Sequence, residues 1–122
     1  MRLFRVIVPV TDISEAARFY EALIDRPGQR VSSGRHYLDC EGTILALFSP
    51  REDTDSRDAR PNPEPIYFAV ADLDAVEKRA TALGAEIDSP IDVRPWGERS
   101  FYLRDPYGNR LCMVDEKTLF TG

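Results

Sequence analysis

Histidine is nearly missing from this chain. His36 is the only one, so no site that needs two imidazoles can form within one subunit. Cysteine is scarce as well, and Cys40 and Cys112 are too few for a disulfide framework, which points to a reducing cytoplasm. No apolar run approaches the length of about 18 residues that a bilayer-crossing helix needs. Near the start, Arg2 and Arg5 bracket Leu3 and Phe4, where a signal peptide would place its apolar core. Basic residues are outnumbered 16 to 21, giving a net charge of −5, the reverse of a phosphate-binding surface, so nucleic acid is not an expected partner. A P-loop, a dinucleotide glycine pattern and a nucleophile elbow are all absent.

What is present reads as an ordinary folded domain. The 122 residues are 43% hydrophobic and 30% charged, enough for one compact domain or for two small modules sharing a core. Phe4 to Val10 is a β-branched apolar run suited to a strand. Asp12 is a good helix N-cap with Glu15 three residues on. Ile13, Ala16, Ala17, Tyr20 and Leu23 then recur at helical spacing, and Pro27-Gly28 is the expected stop. Two or three strands follow between Arg30 and Phe48, broken near Ser33-Gly34 and Glu41-Gly42.

Residues 49–65 change character, with four prolines, many charges and no large apolar side chain. This stretch is expected to be a mobile loop, because it offers nothing to bury. The earlier pattern then restarts. Ile66 to Val70 reads as a strand, Asp72 as a second N-cap, Leu73, Val76, Ala80 and Leu83 as a second stripe, and Gly84 as its C-cap. Laid 60 residues apart, Val10 and Val70, Asp12 and Asp72, Ala22 and Ala82, and Leu23 and Leu83 are identical. Later, Asp39 and Gly42 match Asp105 and Gly108 at an offset of 66. Each half is strand, helix, strands, too small to be stable alone. The expected organisation is a first βαβββ module over residues 1–50, a linker over 51–64 and a second module over 65–122.

Strand alternation divides the side chains between two faces. Phe4, Val6, Val8 and Val10 belong under the first helix, as do Ile66, Phe68 and Val70 under the second. Phe101, Leu103, Leu111 and Met113 join that side. Arg5, Ile7, Ile44, Ala46 and Phe48, with Tyr67, Ser100, Tyr102, Arg110, Cys112 and Val114, take the opposite face. That mixture of aromatic, small and polar groups suits a small organic ligand.

The stretch Pro95 to Asp115 carries the most specific wording. Pro95-Trp96-Gly97, then Phe101-x-Leu103-Arg104-Asp105-Pro106-x-Gly108-Asn109, resembles the C-terminal hairpin of the vicinal oxygen chelate superfamily, which includes glyoxalases, bleomycin-resistance proteins and extradiol dioxygenases. The wording is closest to the bleomycin-resistance-like branch. The resemblance implies an α+β fold in which two βαβββ modules form a curved mixed sheet around a cleft, with helices on the convex face. It implies a homodimer too, in some relatives with exchanged modules. Enzymes of the superfamily hold a divalent metal with His and Glu at four strand positions, which fall here on Arg5, Ala46, Pro65 and Cys112. None of these keeps the ligand type, and an arginine repels a cation.

The expected protein is therefore a cytoplasmic, metal-free, small-molecule binding protein without a cofactor, sequestering an antibiotic or an aromatic metabolite. Its ligand-binding residues are expected to be Arg5, Phe48, Tyr67, Trp96, Tyr102, Arg110 and Cys112. No catalytic residue stands out. The alternative is a glyoxalase- or dioxygenase-like enzyme with a non-standard or inter-subunit site.

Overall fold

Strand alternation, an aspartate helix cap and short turns between strands set the elements of each half. In the computed structural model, which describes residues 1–121, these elements form two compact units, Met1–Asn62 and a second from Pro63 onward.

In the first unit, β1 (Arg5–Pro9) leads into α1 (Ile13–Ile24). Asp12 lies in the extended region and its carboxylate accepts the Glu15 N–H at 3.0 Å, which satisfies one of the donors a helix start leaves open. Ile13, Ala16, Ala17, Phe19, Tyr20 and Leu23 are the buried stripe. The helix ends before Pro27-Gly28. Asp25 takes a left-handed conformation (φ 58°) and sends its N–H back to the Glu21 carbonyl, a C-cap of the kind usually given to glycine or asparagine.

β2 (Gln29–Ser32), β3 (Arg35–Cys40) and β4 (Thr43–Phe48) complete the module. The sheet order is β1-β4-β3-β2, with β1 parallel to β4 and the remaining pairs antiparallel. Glu41 and Gly42 make the two-residue β3–β4 turn with φ of 54° and 101°, and Asp39 accepts the Gly42 N–H at 2.8 Å. Val8, Val10, Leu38, Leu45 and Leu47 are buried with the stripe of α1. Phe4 precedes the strand and stays exposed, taking the Arg2 and Arg5 guanidinium groups against its ring instead.

The charged stretch after β4 is fastened by polar groups where apolar burial was lacking. Arg51–Asp53 form a 3-10 turn. Glu52 accepts the N–H of Ile13, the first residue of α1, at 2.8 Å, and the Ser49 hydroxyl at 2.9 Å. Asp53 accepts from the Ser32 hydroxyl, the Gly34 N–H and the Arg35 guanidinium. Further along, the Asn62 side chain donates to the Ile7 carbonyl at 3.0 Å, on the exposed edge of β1.

The second unit repeats the plan with β5 (Ile66–Val70), α2 (Leu73–Ala82), β6 (Glu86–Val93), β7 (Arg99–Arg104) and β8 (Arg110–Asp115), in the order β5-β8-β7-β6. Asp72 caps α2 through the Ala75 N–H at 3.1 Å, and Gly84 follows the helix at φ 78°. The second βαβββ module calls for a strand here, but Pro90 and several charges hid its position in the sequence. It lies at the sheet edge, where a proline removes no needed ladder bond, and its register shifts on either side of Ser89. In the β7–β8 turn, Asp105 accepts the N–H groups of Tyr107 and Asn109 and the Asn109 side-chain amide, each at 2.8 Å. Phe101, Leu103, Leu111 and Met113 are fully buried on the α2 side. Among the described residues no helix is long and apolar enough to cross a membrane.

Candidate functional site

On the face of the second sheet away from α2, strand register sets Tyr67, Cys112, Tyr102 and Ser89 side by side on four neighbouring strands. Two residues further along each central strand, Arg104 stands opposite Arg110. In the other direction Ser100 stands opposite Val114. Tyr67 and Tyr102 flank Cys112 and meet edge to face, ring centroids 6.3 Å apart at 84°, the geometry that sets the positive rim of one ring against the negative face of the other. Their hydroxyls are 3.4 Å apart, and either can donate. Tyr67 is 57% exposed, whereas Cys112 is fully buried.

Arg94 closes one end of this row. Its guanidinium donates to the Ser89 hydroxyl at 3.1 Å, to the Ser100 hydroxyl and carbonyl at 2.9 Å each, and to the Pro90 carbonyl at 3.4 Å. Its central carbon sits 5.0 Å from the Tyr102 centroid, within cation–π range. Along β7 and β8 from the row, on the side away from Ser100, Arg104 is bound to Asp88 at 2.9 Å, with Arg110 next to it.

Ionisation follows from these contacts. The bond with Tyr67 first, and burial second, hold the Tyr102 phenol well above the ordinary tyrosine value. Burial likewise pushes the Cys112 thiol up, against a smaller opposing pull from Ser100 and Tyr102. Both groups are therefore neutral near pH 7, and a protonated thiol is a poor nucleophile.

The expected ligand-binding residues fall in three places. Tyr67, Tyr102, Arg110 and Cys112 share the face just described. Arg5 and Phe48 lie on the corresponding face of the first sheet, where Arg5 stacks on Tyr37 at 5.0 Å and Arg35 on Phe48 at 4.3 Å. Trp96 is on the β6–β7 turn, about half exposed, and its indole N–H is committed to Glu98 at 2.7 Å. Sequence reasoning missed Arg94, and the adjoining Pro95-Trp96-Gly97 was the only cue to it.

The four positions that the resemblance assigns to a divalent metal do not supply its donors. Ala46 and Pro65 carry no ligating atom, Arg5 carries a positive charge, and Cys112 is buried as the neutral thiol. His36 is occupied elsewhere, facing Glu21 at 3.2 Å and accepting from Arg30 at 3.3 Å. Among the described residues no three His, Cys, Asp or Glu side chains gather into a metal-holding group. The residues do not fit the metal of the related enzymes.

A family model, described as the Glyoxalase/Bleomycin resistance protein/Dioxygenase superfamily, matches residues 2–113. The chain belongs to this superfamily. Solved structures agree with the assignment. A glyoxalase-related enzyme from Fulvimarina pelagi has a TM-score of 0.81 at 19% identity, covering 100% of this chain and 93% of that one. A lactoylglutathione lyase from Agrobacterium tumefaciens gives 0.72 at 24%, with 95% and 94% covered. TioX from Micromonospora sp. ML1 gives 0.73 at 23%, with 95% and 99% covered. At these identities the likeness is one of fold, and superfamily members with that fold carry different activities. No curated protein sequence matches the chain.

Proposed function

We propose that this superfamily member is a metal-free binding protein that captures a small, partly aromatic organic molecule, an antibiotic or a metabolite, and leaves it unchanged. The observation that carries the reading is Tyr67, more than half exposed yet held in place by the ring and hydroxyl of Tyr102. A rigid exposed aromatic on a sheet face offers contact area at little cost in side-chain entropy. Around it stand a neutral phenol, a neutral thiol and an arginine with its donors already bonded. Such groups support binding and orientation, and none is poised as a general base at neutral pH.

The test is a calorimetric panel of planar aromatic compounds against wild type and Tyr67→Ala, each compound being recovered afterwards for mass analysis. The reading expects one-to-one binding, weakened by the substitution, with the compound returned intact. Chemical conversion of a bound compound, or a requirement for added divalent ions, would replace it with the enzyme reading.

A further inference from the structure

One nitrogen of the Arg110 guanidinium is left unbonded. This Nε is buried and has no hydrogen-bonding partner. The neighbouring carboxylate oxygen, Asp88 Oδ2, is 3.9 Å away, beyond bonding distance, and is already taken by Arg104 at 2.9 Å. Arg104 stands opposite Arg110 on β7, with the second carboxylate of this corner, Glu86, 3.7 Å from its own Nε. Buried N–H groups in folded proteins are nearly always bonded, so an orphan of this kind marks a place for a water or a ligand. The side chain is 37% exposed, so its outer end is within reach of a ligand.

Position narrows the ligand. Arg110 is on the same face as the tyrosine row, two residues before Cys112, which pairs with Tyr67. Two residues of strand span roughly 7 Å, the length of a short carbon chain between an aromatic ring and a terminal group. A guanidinium fork matches a carboxylate in shape and charge, and the bond is charge-assisted. Two carboxylates stand near this guanidinium pair: Asp88 is bonded directly to Arg104, and Glu86 is mostly exposed, where solvent screens its charge.

We infer that this face takes an aromatic carboxylate, its ring against Tyr67 and its carboxylate on the Arg110 guanidinium. The inference rests on the proposed reading of the face as a site for a small aromatic molecule, and adds the charge and the length of that molecule. It runs against the overall net charge of −5, which on its own would favour a cation. Inside a partly desolvated site the adjacent group outweighs the distant surface charges, which solvent and salt screen.

Three probes of equal ring size separate the possibilities: naphthylpropanoate, naphthylpropanamide and naphthylpropylammonium, titrated calorimetrically into the full chain. The carboxylate is expected to bind on the order of tenfold more tightly than the amide, since a charge-assisted bond is about twice as strong as a neutral one, and the ammonium most weakly. Arg110→Gln is expected to erase the difference between acid and amide, and Tyr67→Ala to weaken both alike. Should the variants not fold, the acid-to-amide ratio of the wild type still decides. Equal binding of acid and amide, lost in Tyr67→Ala, overturns the carboxylate and leaves the aromatic site standing. Preference for the ammonium overturns the carboxylate as well. No binding of any probe at millimolar concentration overturns both readings.

Discussion

Arg94 lies across Tyr102, its guanidinium carbon 5.0 Å from the ring centroid, while its nitrogens hold the Ser89 and Ser100 hydroxyls and two backbone carbonyls. One side chain thus joins the irregular edge strand β6 to β7 and covers an aromatic of the candidate site. Arg94→Met keeps much of the stem and removes every bond, so it is expected to destabilise the protein by about 1–3 kcal/mol, the range for stranded buried partners. Arg94→Lys is not expected to restore it, because a point charge cannot serve four acceptors in one plane. Urea unfolding of the three proteins checks both statements.

Tyr102 is expected to resist ionisation. Its folded value is raised, first by the bond with Tyr67, so folding favours the neutral phenol. The stability this gives is present below the ordinary phenol value of about 10 and lost as pH rises through the folded value. The difference between the ultraviolet titrations of wild type and Tyr102→Phe isolates this residue. Its midpoint should lie above that of an unperturbed tyrosine and fall when Tyr67 is replaced by Phe. An ordinary midpoint in wild type would contradict the shared bond.

Asp53 should make the first module sensitive to acid. Its bonds to Ser32, Gly34 and Arg35 hold its carboxyl below the usual range, the Ser32 hydroxyl contributing most. With a depressed folded value, its contribution is present above about pH 4 and lost as pH falls through the folded value. Melting temperatures of wild type and Asp53→Asn are therefore expected to differ near neutrality and to converge in strong acid. A gap that is constant with pH would assign the difference to packing alone.

Gly28 is required by close approach rather than by an unusual φ. A Cβ there would lie 2.7 Å from His36 Nε2 and 2.9 Å from the Tyr37 carbonyl, and the Gly28 N–H is bound to Glu21 at 2.6 Å. Gly28→Ala is expected to cost about 1–3 kcal/mol, as overpacking does, and to disturb the His36–Glu21 pair. The shift is readable as a change in the His36 ring resonances alongside the unfolding midpoint.

Much of the fold was legible because local signals repeat. Asp12 and Asp72 both cap helices, and the Asp39 and Asp105 turns both form. Period-two alternation put Tyr67, Tyr102, Arg110 and Cys112 on one face. Three features escaped, each for a physical reason. β6 is an edge strand whose proline and charges are tolerated only because one side faces no partner. Arg94 lies just past the end of that strand, in the turn, where period-two reading no longer applies. The anchoring of residues 51–53 rests on long-range polar bonds to Ile13, Ser32 and Arg35, whereas the expectation of mobility weighed apolar burial alone.

The two modules are duplicates that have stopped being equal. Gln29 pairs with Tyr37 and Ser89 with Tyr102, so the offset between halves is still 60 at Ser89 and has become 65 at Tyr102. The β6–β7 tip accounts for most of the change: two residues, 33–34, separate β2 from β3, whereas five, 94–98, separate β6 from β7 and include Arg94 and Trp96. The matching row of the first module reads Ile7, Ala46, Tyr37 and Gln29, without a counterpart to Tyr67 and without the longer tip. A symmetrical doublet would offer two equivalent berths. On the proposed reading only the second sheet carries the exposed aromatic pair, so the expected stoichiometry is a single ligand per polypeptide.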